Sequence, residues 1–214
     1  MAYVEVHLYG YGEREGMSWK DHVDKDFYTS QECLKSDTHA RIAKSRIFEI
    51  LKQLAKRPRG YVLDVGEESP LTLKMRSMGY DVDNTDGDLD INFTAPRNNY
   101  FTIVFSHVIE HLFNPLYCLS ELRKLLHENG KLIIAMPWCS VGLKIGFSKI
   151  HYHEIDEYRM RKLLRRAGFE IENITYYKRP RGRISGIRPL IKALMSKNVV
   201  YICKKSKKDL TFDK

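Results

Sequence analysis

The 214-residue chain has the composition of an ordinary globular protein, with 43% hydrophobic and 29% charged residues. A chain of this length can bury a core without disulfides or a structural metal, and the composition excludes collagen-like, coiled-coil and low-complexity classes. The longest uncharged stretch, residues 132–143, contains Pro137 and is too short to span a bilayer. The N-terminus has no secretion-signal pattern and the four cysteines lie far apart, so we expect a cytoplasmic protein with reduced thiols.

The net charge of +9 belongs to the C-terminal part of the chain. Residues 173–208 contain eleven Lys or Arg and no acid, and the rest has 25 basic residues against 27 acidic ones. The basic segment, residues 178–197, mixes charged and apolar residues, a pattern that suits peripheral contact with an anionic membrane surface or a phosphorylated acceptor. The same pattern also suits a charged insertion that packs one apolar face on a sheet, and we favour this second interpretation. We do not expect nucleic-acid binding, because basic runs are more often solvated faces.

Residues 1–58 are predicted to form an irregular arm followed by a helical cap. The first thirty residues are rich in Gly, Tyr and charge and show no clean period. Apolar residues then recur at helical spacing, which predicts an amphipathic helix that ends near Arg57 and Pro58. The members of this stripe are Ala43, Ile47, Ile50, Leu51 and Leu54.

Residues 59–214 alternate short apolar runs with helical segments, which predicts an α/β domain with one basic insertion at 178–197. Predicted strands cover residues 61–65, 80–85, 88–93, 101–105, 131–136, 169–177 and 198–203. Helices are predicted to begin at Ser69-Pro70, Asn114-Pro115 and Asp156, and Gly79, Gly130 and Gly168 are placed to end them. Such alternation implies a mainly parallel sheet covered on both faces, with ligands at the carboxyl ends of its strands.

Residues suited to bind a ligand follow three of these strands. Gly66 lies between the first strand and a helix start, where backbone N–H groups can hold an anionic group. Asp86 follows the second strand twenty residues later, and a carboxylate there can accept hydrogen bonds from both hydroxyls of a ribose. The fourth strand runs into a cluster of ionisable side chains at residues 106–112.

Together these segments resemble the class I S-adenosylmethionine-dependent methyltransferases, in particular the branch that acts on small molecules, quinones or lipid precursors. The matching segments are VLDVG (62–66), GYDV leading to Asp86, YFTIVFSHVIEHL (100–112), LLHENGKLIIAMP (125–137), and residues 151–171 with AGFEI at their end. The resemblance covers about half of the chain. It implies a Rossmann-like seven-stranded sheet of order 3-2-1-4-5-7-6 with the last strand antiparallel.

The resemblance also implies the cofactor, S-adenosylmethionine, and a set of site residues. The implied cofactor-binding residues are Asp64, Gly66, Asp86, Asp88, Ser106 and His107. Glu110, His111 and His151 are the implied catalytic residues beside the acceptor, where a histidine could remove the acceptor's proton; the same side chains could instead only hold the loop. The expected reaction is methyl transfer to an oxygen or nitrogen of a small or lipid-linked acceptor.

The chain departs from the family pattern around the cofactor. Glu68 and Pro70 stand where the second and third glycines of Gly-x-Gly-x-Gly are usual, and Thr102 replaces a usual Asp. A glutamate adds bulk and negative charge beside the cofactor's carboxylate unless a cation compensates it. Only fourteen residues separate Asp86 from Phe101, which is short for a helix and a full third strand. A catalytically inactive scaffold or partner subunit therefore remains the alternative function.

Residues 107–111 also spell H-x-x-E-H, a zinc-protease pattern. That motif requires a helix that brings both histidines onto one face, and a third ligand elsewhere. Here a buried strand is predicted to run directly into His107. We therefore expect no metal site.

Overall fold

The computed structural model describes residues 37–57, 60–138, 151–153, 155–178 and 197–207. The predicted N-terminal arm, Cys33, Cys139 and residues 179–196 of the basic segment lie outside these ranges. Helices are α1 (Asp37–Leu54), α2 (Pro70–Ser77), α3 (Pro115–Leu125) and α4 (Glu157–Arg166), with a 3₁₀ turn at Ile109–His111. Strands are β1 (Val62–Asp64), β2 (Val82–Asn84), β3 (Asp86–Asp88), β4 (Asn92–Thr94), β5 (Tyr100–Ser106), β6 (Leu126–Pro137), β7 (Phe169–Lys178) and β8 (Lys197–Lys205).

Six of the strands form one mixed sheet in the order β2-β1-β5-β6-β8-β7. Strands β2, β1, β5 and β6 are parallel neighbours, while β8 runs antiparallel to both β6 and β7. Val62 of β1 lies opposite Val82 on one side and Thr102 on the other. The predicted Rossmann-like, mainly parallel α/β fold with an antiparallel last strand is confirmed.

The predicted count of seven strands is wrong for the described part of the chain. Residues 88–93, predicted as the third strand, instead take part in a separate antiparallel hairpin of β3 and β4. The outer edge of β2 is blocked by a side chain. Because Val62 N–H donates to the carbonyl of Asp81 (2.9 Å), the next carbonyl, of Val82, faces away from β1. The Arg76 guanidinium donates to it through Nε (3.1 Å) and Nη2 (2.9 Å), where a third strand would pair.

Two apolar layers cover the sheet because successive strand residues point to opposite faces. On β1, Leu63 packs on the side of α3 and α4 with Leu119 and Leu164. Val62 packs on the other side, with Ile50 of α1 and Met75 of α2. All of these side chains are buried. The predicted inward face of the first helix is confirmed by Ile50 and Leu54.

The predicted helix starts are confirmed by their capping bonds. Ser69 Oγ accepts from the N–H of Thr72 (3.2 Å) in a capping box, Asn114 Oδ1 caps α3 and Asp156 Oδ1 caps α4. Each oxygen satisfies an N–H that has no partner inside its helix.

Gly130 does not end α3 as predicted. The helix ends at Leu125 and the next residue, Leu126, begins β6 opposite Tyr100. Gly130 is needed for space, since a Cβ there would lie 2.9 Å from the carbonyl oxygen of Tyr100. Within the described residues, no helix has both the length and the apolar character to cross a membrane.

Candidate functional site

Gly66 forms an open turn directly after β1. Its φ of +109° favours glycine, and a Cβ built there would meet no atom within 4 Å. The turn is held from the end of β2: Gly66 N–H donates to Thr85 Oγ1 (2.8 Å), and Asn84 Nδ2 donates to the carbonyl of Gly66 (3.2 Å). The sequence led us to expect a free N–H at this turn. The structure shows that Gly66 offers space, while its amide hydrogen is used by Thr85.

Asp64, at the end of β1, is buried behind this turn. Its carboxylate accepts from Thr72 Oγ1 (2.6 Å) and Ser69 Oγ (3.2 Å), which fastens the first turn of α2 to the strand. Burial raises the pKa of Asp64 to about 6, although the two hydroxyl hydrogen bonds and the nearby Arg76 act in the opposite direction. The described contacts of Asp64 are therefore those of a side chain that shapes the turn.

Glu68 replaces a family glycine, and its charge has a partner. The exposed Glu68 carboxylate pairs with Arg76 Nη1, and the same guanidinium holds the edge of β2. The compensating cation that the sequence argument required is therefore supplied by α2.

The crowded acidic residues of 81–90 separate into different roles. Asp81 pairs with Arg97 (2.8 Å), and Asp83 accepts from the Tyr100 hydroxyl (2.8 Å). Asp90 Oδ1 accepts from the N–H of Asn114 (2.6 Å), tying the hairpin to the start of α3.

Asp86 and Asp88, the two acids predicted to bind the cofactor, are both in β3. Asp86 is exposed immediately after Thr85, while Asp88 is half-buried and accepts from the N–H of Asp90 (2.8 Å). Asp86 is thus a solvent-facing carboxylate one residue beyond the threonine that holds Gly66.

Strand β5 ends beside β1 and delivers Ser106 and His107 to the same edge of the sheet. Ser106 is half-buried opposite Ala135 of β6. His107 adopts a φ of +56° and donates its N–H to the carbonyl of Ala135 (2.7 Å). Its imidazole is almost fully buried, with Nδ1 3.3 Å from the Glu110 carboxylate. This placement makes His107 a neighbour of the acidic side chain in the following turn.

Glu110, His111 and His151 form one cluster, although the last two are forty positions apart in the sequence. One ligand atom from each lies within 4.8 Å of the others, and the two imidazole rings meet edge to face at a centroid distance of 4.9 Å. The backbone N–H groups of Tyr152 and His153 donate to the carbonyl of Glu110 (3.0 and 3.1 Å), which fixes the two segments together. A buried carboxylate beside two imidazoles can accept, hold and pass on a proton.

The same donor atoms are of the types that bind a metal ion, but the ligands of a tetrahedral zinc site lie closer to one another than these atoms do. Bonds of 2.0–2.1 Å place those ligands roughly 3.4 Å apart. The atoms of Glu110, His111 and His151, up to 4.8 Å apart, would have to move inward. Of the H-x-x-E-H segment, only Ile109–His111 form a 3₁₀ turn, and His107 lies before it with a φ of +56°.

An aromatic pair that the sequence analysis missed lies next to this cluster. The rings of Phe113 and Tyr152 have centroids 4.2 Å apart, and the Phe113 side chain is exposed. His153 Nε2 lies 3.3 Å from the Phe113 carbonyl. The only sequence signal was proximity, since Phe113 follows His111 by two positions and Tyr152 follows His151 directly.

A separate cavity of about 330 Å³ lies at the opposite, amino end of β1, β2 and β5. It is lined by Gly60, Tyr61, Gly79, Tyr80, Asp81 and Phe101. It shares none of the predicted site residues.

The sequence matches a family model described as a methyltransferase domain over residues 38–174. This match covers more than half of the chain and includes every predicted site residue. The chain belongs to this methyltransferase family. No curated protein has a significantly similar sequence.

Solved structures show the same fold at low sequence identity. A putative methyltransferase from Bacillus halodurans is 13% identical with a TM-score of 0.54, covering 74% of this chain and 98% of that one. The 1,6-didemethyltoxoflavin-N1-methyltransferase of Burkholderia thailandensis, solved with bound 1,6-didemethyltoxoflavin and S-adenosylhomocysteine, is 17% identical with a TM-score of 0.53, covering 82% of this chain and 88% of that one. The [4+2]-cyclase SpnF is 14% identical with a TM-score of 0.53, covering 74% and 80%. Since one of these similar structures is a cyclase, the reaction of this chain must be argued from its own site.

Proposed function

We propose that this family member transfers a methyl group from S-adenosylmethionine to an oxygen or nitrogen of a small or lipid-linked acceptor. The observation that carries the proposal is the open Gly66 turn at the carboxyl edge of the sheet. The edge where β1 and β5 end also carries the cluster of Glu110, His111 and His151. Cofactor binding at one strand end and acceptor binding at the next would bring the two reactants together.

The cofactor side would be formed by Gly66 and Asp86. Gly66 leaves space for close approach, and the exposed Asp86 carboxylate suits the two ribose hydroxyls. Asp64 at the end of β1, Asp88 in β3, and Ser106 and His107 at the end of β5 stay in the proposed binding set. The methyl group comes from the sulfonium of S-adenosylmethionine, and the described residues would orient the reactants and exclude water.

The acceptor side would be formed by Glu110, His111 and His151. We propose that an imidazole of His111 or His151 takes the proton of the acceptor's hydroxyl or amine as the new bond forms. The buried Glu110 carboxylate would then stabilise the imidazolium, as an acidic partner does for a catalytic histidine. His107 Nδ1 lies 3.3 Å from the Glu110 carboxylate and would help to hold it in place.

The Glu68–Arg76 pair supports cofactor binding in spite of the missing glycines. A bare glutamate beside the turn would repel the carboxylate of the cofactor's amino-acid part. The paired Arg76 cancels this charge at short range. Pro70 also fits, because it occupies the first turn of α2, where its missing N–H costs no helical hydrogen bond.

A scaffold or partner subunit that has lost the cofactor is the second candidate. It is favoured by the six-stranded sheet, because the adenine side of the site would lie where the third strand is missing. The SpnF similarity illustrates that this fold also occurs in a protein with another activity.

Calorimetry with S-adenosylmethionine and S-adenosylhomocysteine tests the proposal. Micromolar binding, weakened by Asp86→Ala, would exclude the scaffold. Lack of binding at millimolar ligand would refute the enzyme and leave the scaffold. If the cofactor binds, mass spectrometry of small molecules that copurify with the protein would identify the acceptor. With that acceptor, Glu110→Gln and His151→Ala should slow methyl transfer while leaving cofactor affinity close to wild type.

A further inference from the structure

Both backbone polar groups of Gly66 are bound by side chains from the end of β2. Thr85 Oγ1 accepts the Gly66 N–H (2.8 Å), and Asn84 Nδ2 donates to the Gly66 carbonyl (3.2 Å). These residues are eighteen and nineteen positions away in sequence. A turn with φ of +109° is thus fixed by contacts from a neighbouring strand.

The same polar network reaches the start of α2. Asn84 Nδ2 also donates to the carbonyl of Asp64 (3.1 Å), and Arg76 Nη2 donates to Asn84 Oδ1 (3.4 Å). Thr72 Oγ1 joins the network through Asp64 (2.6 Å). Strand β1, the Gly66 turn, helix α2 and strand β2 are therefore connected by hydrogen bonds.

We infer that Thr85 and Asn84 are positioning residues for the cofactor. This turn keeps one of the three glycines usual in the family pattern, so its open shape depends on outside support. Thr85 supplies that support at the amide, and Asn84 supplies it at the carbonyl. Thr85 does so from the position directly before Asp86, so the residue that holds the turn is bonded directly to the proposed ribose ligand.

The inference rests on the proposed function, because the turn is positioned for S-adenosylmethionine. Its own claim is narrower: the hydroxyl of Thr85 holds the Gly66 amide, and this hold sets cofactor affinity. A valine replaces that hydroxyl with a methyl group of similar volume, and a serine restores the hydroxyl. Thr85→Val and Thr85→Ser therefore separate hydrogen bonding from packing.

A matched control is Thr102→Val. Thr102 is a buried threonine on β5, opposite Val62, away from the Gly66 turn. Any general cost of removing a buried hydroxyl appears in this variant as well. Two quantities are measured in all four proteins: the Kd for S-adenosylhomocysteine by calorimetry, and the exchange rate of the Gly66 amide hydrogen by NMR.

We expect Thr85→Val to weaken S-adenosylhomocysteine binding about five- to tenfold, the usual effect of one lost hydrogen bond, and to speed exchange of the Gly66 amide. Thr85→Ser and Thr102→Val should keep the wild-type Kd and the wild-type Gly66 exchange. Wild-type affinity in Thr85→Val, or equal losses in Thr85→Val and Thr85→Ser, would overturn the inference.

The amide measurement separates this inference from the proposed function. If the wild-type protein binds no S-adenosylhomocysteine, the proposed function fails, and the role of Thr85 in setting cofactor affinity fails with it. Faster Gly66 exchange in Thr85→Val would still confirm that Thr85 holds the turn. If the wild-type protein binds S-adenosylhomocysteine and Thr85→Val binds it with the same Kd, the inference fails and the proposed function stands.

Discussion

The buried carboxyl group of Asp64 should make the protein more stable as the pH falls from 7 to 4. Its pKa is about 6 in the folded chain, against an ordinary value of 3.8, because burial disfavours the charged form. The folded state therefore binds this proton more tightly than the unfolded state does. By linkage, the cost of the buried charge is fully present above pH 6 and disappears as the pH falls towards 4.

The size of the effect follows from that difference of about two pKa units. One unit corresponds to about 1.4 kcal/mol, so the charged carboxylate costs about 3 kcal/mol at neutral pH. Asp64→Asn removes this titration while keeping the size of the side chain and an oxygen that can accept from Thr72. The substitution should therefore cancel the pH-dependent part of the stability that belongs to this position.

The assay is urea unfolding of wild type and Asp64→Asn at pH 7.5, 6, 5 and 4. The free energy of unfolding of wild type, relative to the variant, should rise by about 2–3 kcal/mol between pH 7.5 and 4. Taking the difference removes the titration of all other groups, which both proteins share. The exposed Asp86→Asn serves as the control and should keep the wild-type pH dependence. A difference between wild type and Asp64→Asn that is constant over this range would refute the argument.

Three further predictions concern single contacts. Glu68→Gln should change the Kd for S-adenosylhomocysteine little, whereas Arg76→Gln should weaken binding by leaving Glu68 unpaired; a reversed order in calorimetry would show that the pair does not shield the cofactor. Gly66→Ala should weaken binding and lower stability by about 1–3 kcal/mol because of its positive φ, while Gly79→Ala should lower stability alone, and a loss of affinity in both would point to general unfolding. Asn114→Ala removes the cap of α3 and should lower the free energy of unfolding by about 1 kcal/mol, measured in urea; an unchanged midpoint would contradict the capping role.

The elements of the sheet were predictable wherever the signal was local. The starts of three helices followed from Ser69, Asn114 and Asp156, because a capping side chain bonds to N–H groups within three residues of itself. Alternation of apolar residues predicted the buried strands, since each face of the sheet must be covered. The family-like order of these segments then predicted the fold and the family.

The errors arose where a distant residue decides the outcome. Gly130 was expected to end a helix, but pairing of Leu126 with Tyr100 extends β6 to the end of α3. Residues 88–93 were expected to join the sheet, but Arg76, twelve positions earlier, caps the edge of β2 at Val82. No local pattern contains either contact.

The candidate site divides in the same way. The sequence by itself indicated Gly66, Asp86 and the Glu110–His111 pair, because turns after buried strands of an α/β domain converge on one edge. The family resemblance added His151 to this set, but only the tertiary structure showed its ring against that of His111, paired Glu68 with Arg76 and assigned Thr85 and Asn84 to the Gly66 turn. Those contacts join residues from separate elements. Their geometry depends on how the helices and strands pack around the sheet, and no short stretch of the sequence contains that information.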